Sequence, residues 1–170
     1  MNATPGLLLG TLLALVPSAG RAQQAGTAST SGSGTSGVVV SLDAGGGTAL
    51  GAGGRFDSGQ GEVELGAGLQ LPYGIRPELT FVLGLAPDTH VGLRPGIHVA
   101  LPDTPLYLRV AGDWSTTGGA SSWRWLLGGA GAELRLTGLL GIFAEGDLGI
   151  PLESDVGLGV LVRAGISVRL

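Results

Sequence analysis

Two histidines, a few hydroxyls and scattered acids are the residues of this chain best suited to chemistry. His90 closes the segment "PDTH" with Asp88 close by, and Ser58, Ser115 and Thr116 lie in segments that can approach it. A histidine oriented by an acid can draw the proton from a hydroxyl and make it a nucleophile. The GxSxG turn that presents a serine for such attack is absent. His98 falls on the charged side of its own segment and suits an ion-pair partner. "GAGGRF" and "GGAGAE" look like phosphate-cradling glycine loops, but each sits inside an alternating pattern with no helix after it. There is no cysteine, and no His/acid spacing fits a metal. No cofactor is implied, and catalysis is not expected.

The charges are better organised than the nucleophiles. Asp43, Glu62, Glu64, Asp113, Glu133, Glu145 and Asp147 all fall on the polar side of period-two segments. So do Arg55, Arg94, Arg109, Arg135, Arg163 and Arg169. Glycine alternates with them, and the opposite sides carry no charge except Arg124, near the start of its segment. Acids and arginines in near balance, spaced by glycine, describe an enclosed interior whose charges neutralise one another. They point to an ion-pair network rather than to a solvated face. A narrow ion path is the alternative.

The elements that hold these charges are strands. From Asp155 to Leu170 every second residue is apolar, through Val156, Leu158, Val160, Val162, Ala164, Ile166, Val168 and Leu170. The same order predicts strands over 38–56, 61–71, 78–86, 91–101, 106–114, 123–136 and 139–150. Pro95 removes a ladder donor, so a bulge or local break is expected there. "PYGIRP", "PDTP" and "TG" make turns at one end. "DSGQG", "PDTH", "STTGGASS" and "PLESD" connect the other, and "STTGGASS" is the longest loop. Short connections make consecutive strands antiparallel neighbours. No helical pattern is available to cover a sheet.

Composition narrows the environment. The chain has 170 residues, the size of one domain, with 34 glycines, 13% charged residues and a formal charge of -4. Mean hydropathy is +0.40, too apolar for disorder. The mild acidity excludes a nucleic-acid footprint. "MNATPGLLLGTLLALVPSAGRAQQ" reads as a secretory signal over 1–22, with an apolar run from Leu7 to Val16 and cleavage after Ala22. Residues 23–37 are a Gly/Ser/Thr-rich flexible segment, and 38–170 form the folded domain.

A soluble β-sandwich also alternates, so period two alone does not choose an architecture. Strand length, the glycine-and-charge pattern and the charge balance choose a closed barrel. The expected fold is all-β: an antiparallel up-and-down transmembrane β-barrel of about eight strands, with lipid outside and ion pairs within. With an even strand number both chain ends share a side, the periplasmic one for an exported protein. Trp114, Trp123 and Trp125 then flank an outward loop and supply interface aromatics.

The final residues carry a resemblance. Arg163, Gly165, Val168 and Leu170 match the C-terminal assembly signal of bacterial outer-membrane β-barrels: polar, any, Gly, any, any, hydrophobic, any, hydrophobic. Members of that class usually end on Phe, where this chain has Leu170. The mature chain resembles the small OmpA/OmpX-like eight-stranded barrels. The resemblance implies a place in the outer membrane among its lipid and lipopolysaccharide, insertion by the barrel-assembly machinery, and a structural or surface-interaction role without catalysis. Some relatives of that size modify lipid A through a histidine and a serine near the outer rim. Here that would fall to His90. Arg124 at the outer rim is placed to meet lipopolysaccharide phosphates. A hydrophobic-ligand transporter is a further alternative.

Overall fold

A computed structural model describes residues 36–50, 59–117, 119–154 and 156–170. The predicted signal peptide, most of the 23–37 segment and Arg55 lie outside the described residues. Eight strands follow one another: β1 (Gly37–Leu50), β2 (Gln60–Gln70), β3 (Ile75–Ala86), β4 (His90–Ala100), β5 (Leu106–Thr117), β6 (Ala120–Arg135), β7 (Leu140–Pro151) and β8 (Leu158–Arg169). Each pairs antiparallel with the next, and β8 pairs with β1, closing the barrel. The fold is an up-and-down β-barrel, and the sandwich alternative is excluded by that closure.

The register fixes the barrel's shape. From Val39 the ladder runs through Gly68, Glu78, Gly96, Ala111, Leu127, Gly149 and Gly159, and returns to β1 at Ala49, ten residues along. Such a stagger on eight strands tilts them by about 40°. Eleven residues, the length of β2 and β4, then rise about 28 Å, enough for the apolar band of about 25 Å on an outer-membrane barrel.

Period two divides the side chains as a membrane requires. Leu65, Leu148 and Val162 point outward and are 54%, 57% and 62% exposed, while Glu64, Asp147 and Arg163 beside them are buried. Apolar outside and charged inside is the inverse of a water-soluble fold. A continuous apolar wall of this extent is stable only against hydrocarbon.

The turns are short and chemically apt. Tyr73 and Gly74 take positive φ values of 65° and 77° in the β2–β3 turn, and Gly74 supplies that conformation without a Cβ penalty. Thr137 Oγ1 accepts from the amides of Leu139 and Leu140 at 3.2 and 2.9 Å, holding the β6–β7 turn. One expectation changes. "STTGGASS" is no long loop, because β5 and β6 extend into it from both sides, with Thr117 paired to Ala120. At Pro95 the expected local break is present, without a bulge. The β4–β5 ladder lapses between Leu93↔Trp114 and Gly96↔Ala111, then resumes in unchanged register.

Candidate functional site: the charged interior and its outer vestibule

The barrel interior is built by glycine and charge in alternation. Arg94 on β4 is 1% exposed and is the hub of one cluster. Its guanidinium grips Glu62 with two bonds of 2.8 Å, donates to Asp113 at 2.6 Å and also reaches Glu64. Glu64 is shared: its other oxygen accepts from Arg163 at 2.6 Å. Arg163 also donates to Asp147 at 2.6 Å and to Glu145. Planar, forked guanidinium groups suit such bridging because each presents several donors at fixed angles.

The relay continues toward the end where β1 starts and β8 finishes. Arg109 donates to Glu78 at 2.5 Å and to Glu145 at 3.4 Å. Arg76 joins Glu78 and Glu133, each at 3.4 Å, and Arg169 closes on Glu133 at 3.0 Å. Ser167 adds a 2.9 Å bond to the same Glu133 oxygen. His98 is buried with its ring 3.9 Å from that of Tyr107, and both its nitrogens lack partners among the described residues. It is a packing residue here, not an ion-pair partner.

Among the described residues the interior is richer in acid than in base. Asp43, Glu62, Glu64, Glu78, Asp113, Glu133, Glu145 and Asp147 face Arg76, Arg94, Arg109, Arg163 and Arg169, eight against five. The deficit of donors is visible at two atoms, since the Oδ1 oxygens of Asp43 and Asp147 are buried without a hydrogen bond. Nε of Arg163 is likewise unpartnered.

At the opposite end a mostly apolar cluster caps part of the bore. Trp125, Leu127 and Leu161 are 1%, 0% and 2% exposed, and Ala49 and Ala111 pack with them. The Trp125 indole lies against Gly149 and Gly159, where an added Cβ would come within 3.0 and 3.2 Å of the ring. Its Nε1 donates to Gly157 O at 2.9 Å, tying the floor to the β7–β8 connection. Beyond it opens a cavity of about 490 Å³ at the barrel mouth.

A closed wall of eight antiparallel strands has known counterparts. The chain resembles the Neisserial surface protein A (16% identity, TM-score 0.54, covering 78% of this chain and 97% of that one). It also resembles the N-terminal barrel of Pseudomonas aeruginosa OprF (14%, 0.52, covering 78% and 97%). A third is Ail, the attachment invasion locus protein of Yersinia pestis (13%, 0.52, covering 79% and 98%). No protein-family model and no curated protein sequence matches the chain. The fold is that of the small OmpA/OmpX-like eight-stranded barrels.

Within this OmpX-like barrel the sequence-predicted residues divide as follows. Asp43, Glu62, Glu64, Arg94, Arg109, Asp113, Glu133, Glu145, Asp147, Arg163 and Arg169 all face inward. Among the described residues Asp43 has no ion-pair partner. Arg135 is exposed at the end of β6 and takes no part in the network, because its strand ends there and leaves it in the open. Arg76 and Glu78 do take part, although Arg76 sits in what the sequence presents as a turn. Strand β3 starts at Ile75, and the even-numbered phase that buries Thr80 and Val82 carries back to both.

Trp125 is a correction. Trp123 is 48% exposed on the outer wall, whereas Trp125 points into the bore. The two share a parity but not a face, because Asp113 pairs with Trp125 and Trp114 with Trp123. Arg124 is the extra residue, and a bulge of this kind reverses the alternation. Arg124 itself lays its guanidinium 4.4 Å over the Trp125 ring, toward the cavity rather than toward lipid headgroups. His90 Nδ1 lies 3.1 Å from the Asp88 carbonyl oxygen, and no hydrogen bond joins His90 to Ser115 or Ser122.

Proposed function

We propose that this chain is an exported outer-membrane barrel with an envelope-structural or surface-interaction role, neither an enzyme nor an open pore. The observation that carries this reading is the filled bore. Arg94, Glu64, Leu127 and Trp125 are each no more than 1% exposed inside the barrel. Complete burial in mid-bore leaves no room for a column of water, as expected when eight strands close with side chains inside. The unjoined His90 and serines support the non-catalytic half of the reading.

The outer membrane supplies both lipid for the apolar wall and lipopolysaccharide around the outer rim. Cleavage after Ala22 releases the mature chain, and Arg163, Gly165, Val168 and Leu170 present it to the assembly machinery. Planar-bilayer recording on the purified, folded barrel tests the closed bore. Insertion without steady single-channel steps is the expected result. Reproducible conductance that disappears on neutralising Arg94 would replace this proposal with the narrow pore.

A further inference from the structure

The vestibule at the mouth of the barrel is chemically unlike the interior below it. Its volume of about 490 Å³ lies within the range of small-ligand sites. Gln60, Asp88, His90, Ser122, Arg124 and Glu153 converge on it from the ends of β2, β4 and β6 and from two connections. Inside the bore nearly every charged group is bonded to another. Here, among the described residues, the side chains of Gln60, Asp88, Ser122 and Glu153 and Nε2 of His90 have no hydrogen-bond partner in the protein and are left to water or a ligand. These are unspent donors and acceptors gathered around one space.

The mixture selects the ligand. Two acids and one arginine oppose an anion. The acids come from separate connections, Asp88 from β3–β4 and Glu153 from β7–β8, so no compact cage exists for a cation. What remains is a surface that offers donors and acceptors in turn: carboxylates accept, Arg124 donates, and Gln60, Ser122 and His90 do both. A neutral molecule with many hydroxyls satisfies such a surface, since each hydroxyl both donates and accepts. The Arg124 guanidinium sits over the Trp125 indole, 4.4 Å from the ring centroid, at the floor of the site.

The His90 ring reaches this space because Gly84 has no side chain, as a Cβ there would meet the ring.

We infer that the vestibule binds a neutral mono- or disaccharide. The inference rests on the proposed outward orientation, which places this mouth at the cell exterior. The sugar's source is either free saccharide or the uncharged part of the membrane's own lipopolysaccharide core.

The test uses the full barrel in nanodiscs with Trp114→Phe and Trp123→Phe, which leaves Trp125 as the one indole. Sucrose, maltose and dephosphorylated core oligosaccharide are titrated while Trp125 emission is followed. A saturable change is expected, with half-saturation near 1 mM, the range of about -4 kcal/mol. Glu153→Gln and Asp88→Asn should each weaken it at least tenfold, and Tyr73→Phe at the far end should leave it unchanged. A response to free disaccharides assigns the exterior as the source, and one confined to the core oligosaccharide assigns the membrane.

A flat emission trace with every neutral sugar, or a stronger response to a sulfated disaccharide or a diamine, overturns the inference. Mobility shift of the same variant on boiling, together with surface proteolysis in cells, reports the barrel and its orientation separately. A shifting, correctly oriented barrel with no response defeats the sugar site alone.

Discussion

Arg163 of β8 donates to Glu64 of β2 at 2.6 Å, across the full width of β1. The two residues are 99 positions apart and on strands that never pair with one another. Their bond therefore braces the closure seam from inside. Because carboxylates outnumber arginines in the described interior, the loss of an arginine is the more damaging change. It leaves Glu64, Glu145 and Asp147 with fewer donors at a site water does not reach. Arg163→Met is expected to cost about 3–5 kcal/mol, the usual penalty for stranding one side of a buried pair. Urea titration of the barrel in lipid vesicles measures it.

Asp43 gives the opposite expectation. It is buried, and its Oδ1 has no partner among the described residues. Replacing its charge by an amide removes an uncompensated carboxylate without breaking an ion pair. Asp43→Asn should shift stability by less than about 1 kcal/mol, or raise it. A loss as large as that of Arg163→Met would mean that Asp43 carries a bond the structure does not display.

The outer wall makes a prediction of a different kind. Leu65 lies midway along β2 and is 54% exposed. On a soluble surface arginine there would be harmless. In hydrocarbon, Leu65→Arg should cost about 2–4 kcal/mol, the mid-plane penalty for a lipid-facing cation. The same urea titration in vesicles distinguishes the two.

Strand packing at the seam is tight enough to be read by single substitutions. A Cβ at Gly45 would come within 2.7 Å of the Val162 carbonyl oxygen and 2.8 Å of the Arg163 Cβ. Gly45→Val is expected to lose about 1–3 kcal/mol through overpacking and to lower the folded fraction. Gly128 has open space around it, so Gly128→Ala should fold like the parent. Refolding yield from urea into detergent compares the pair.

Most of the barrel was legible because period two runs through the strands with one interruption, at Arg124 in β6. Burying charge and exposing leucine leaves a mark in the sequence that no helix or loop imitates. What escaped notice depended on strand ends and on one irregularity. Arg76 was hidden because Pro72, Gly74 and Pro77 make its segment look like a turn, and Glu78 stood unremarked at the first position of the expected strand, although the β3 ladder already includes both. Trp125 was grouped with Trp114 and Trp123 as an interface aromatic, whereas the bulge at Arg124 turns only Trp123, on its far side, to the outer wall. Period two places Leu127 and Glu133 inward, and carrying that phase back to Trp125 would have placed it correctly. "STTGGASS" looked like a loop by composition, but Thr116 and Ser121, whose hydroxyls lie 2.9 Å apart, are cross-strand partners. The vestibule was legible only in part: the sequence already gathers His90, Asp88 and Ser115 and sets Arg124 at the rim, but Gln60, Ser122 and Glu153 come from distant segments that only closure brings together.

The account stands on one claim, that this chain closes into a lipid-embedded barrel. The direct measurement is electrophoretic mobility, with and without boiling, of washed outer membranes from cells expressing the full chain. Recovery in that fraction, with a detergent-resistant band that shifts on boiling, is the predicted result. A soluble periplasmic protein with one mobility at either temperature would contradict it.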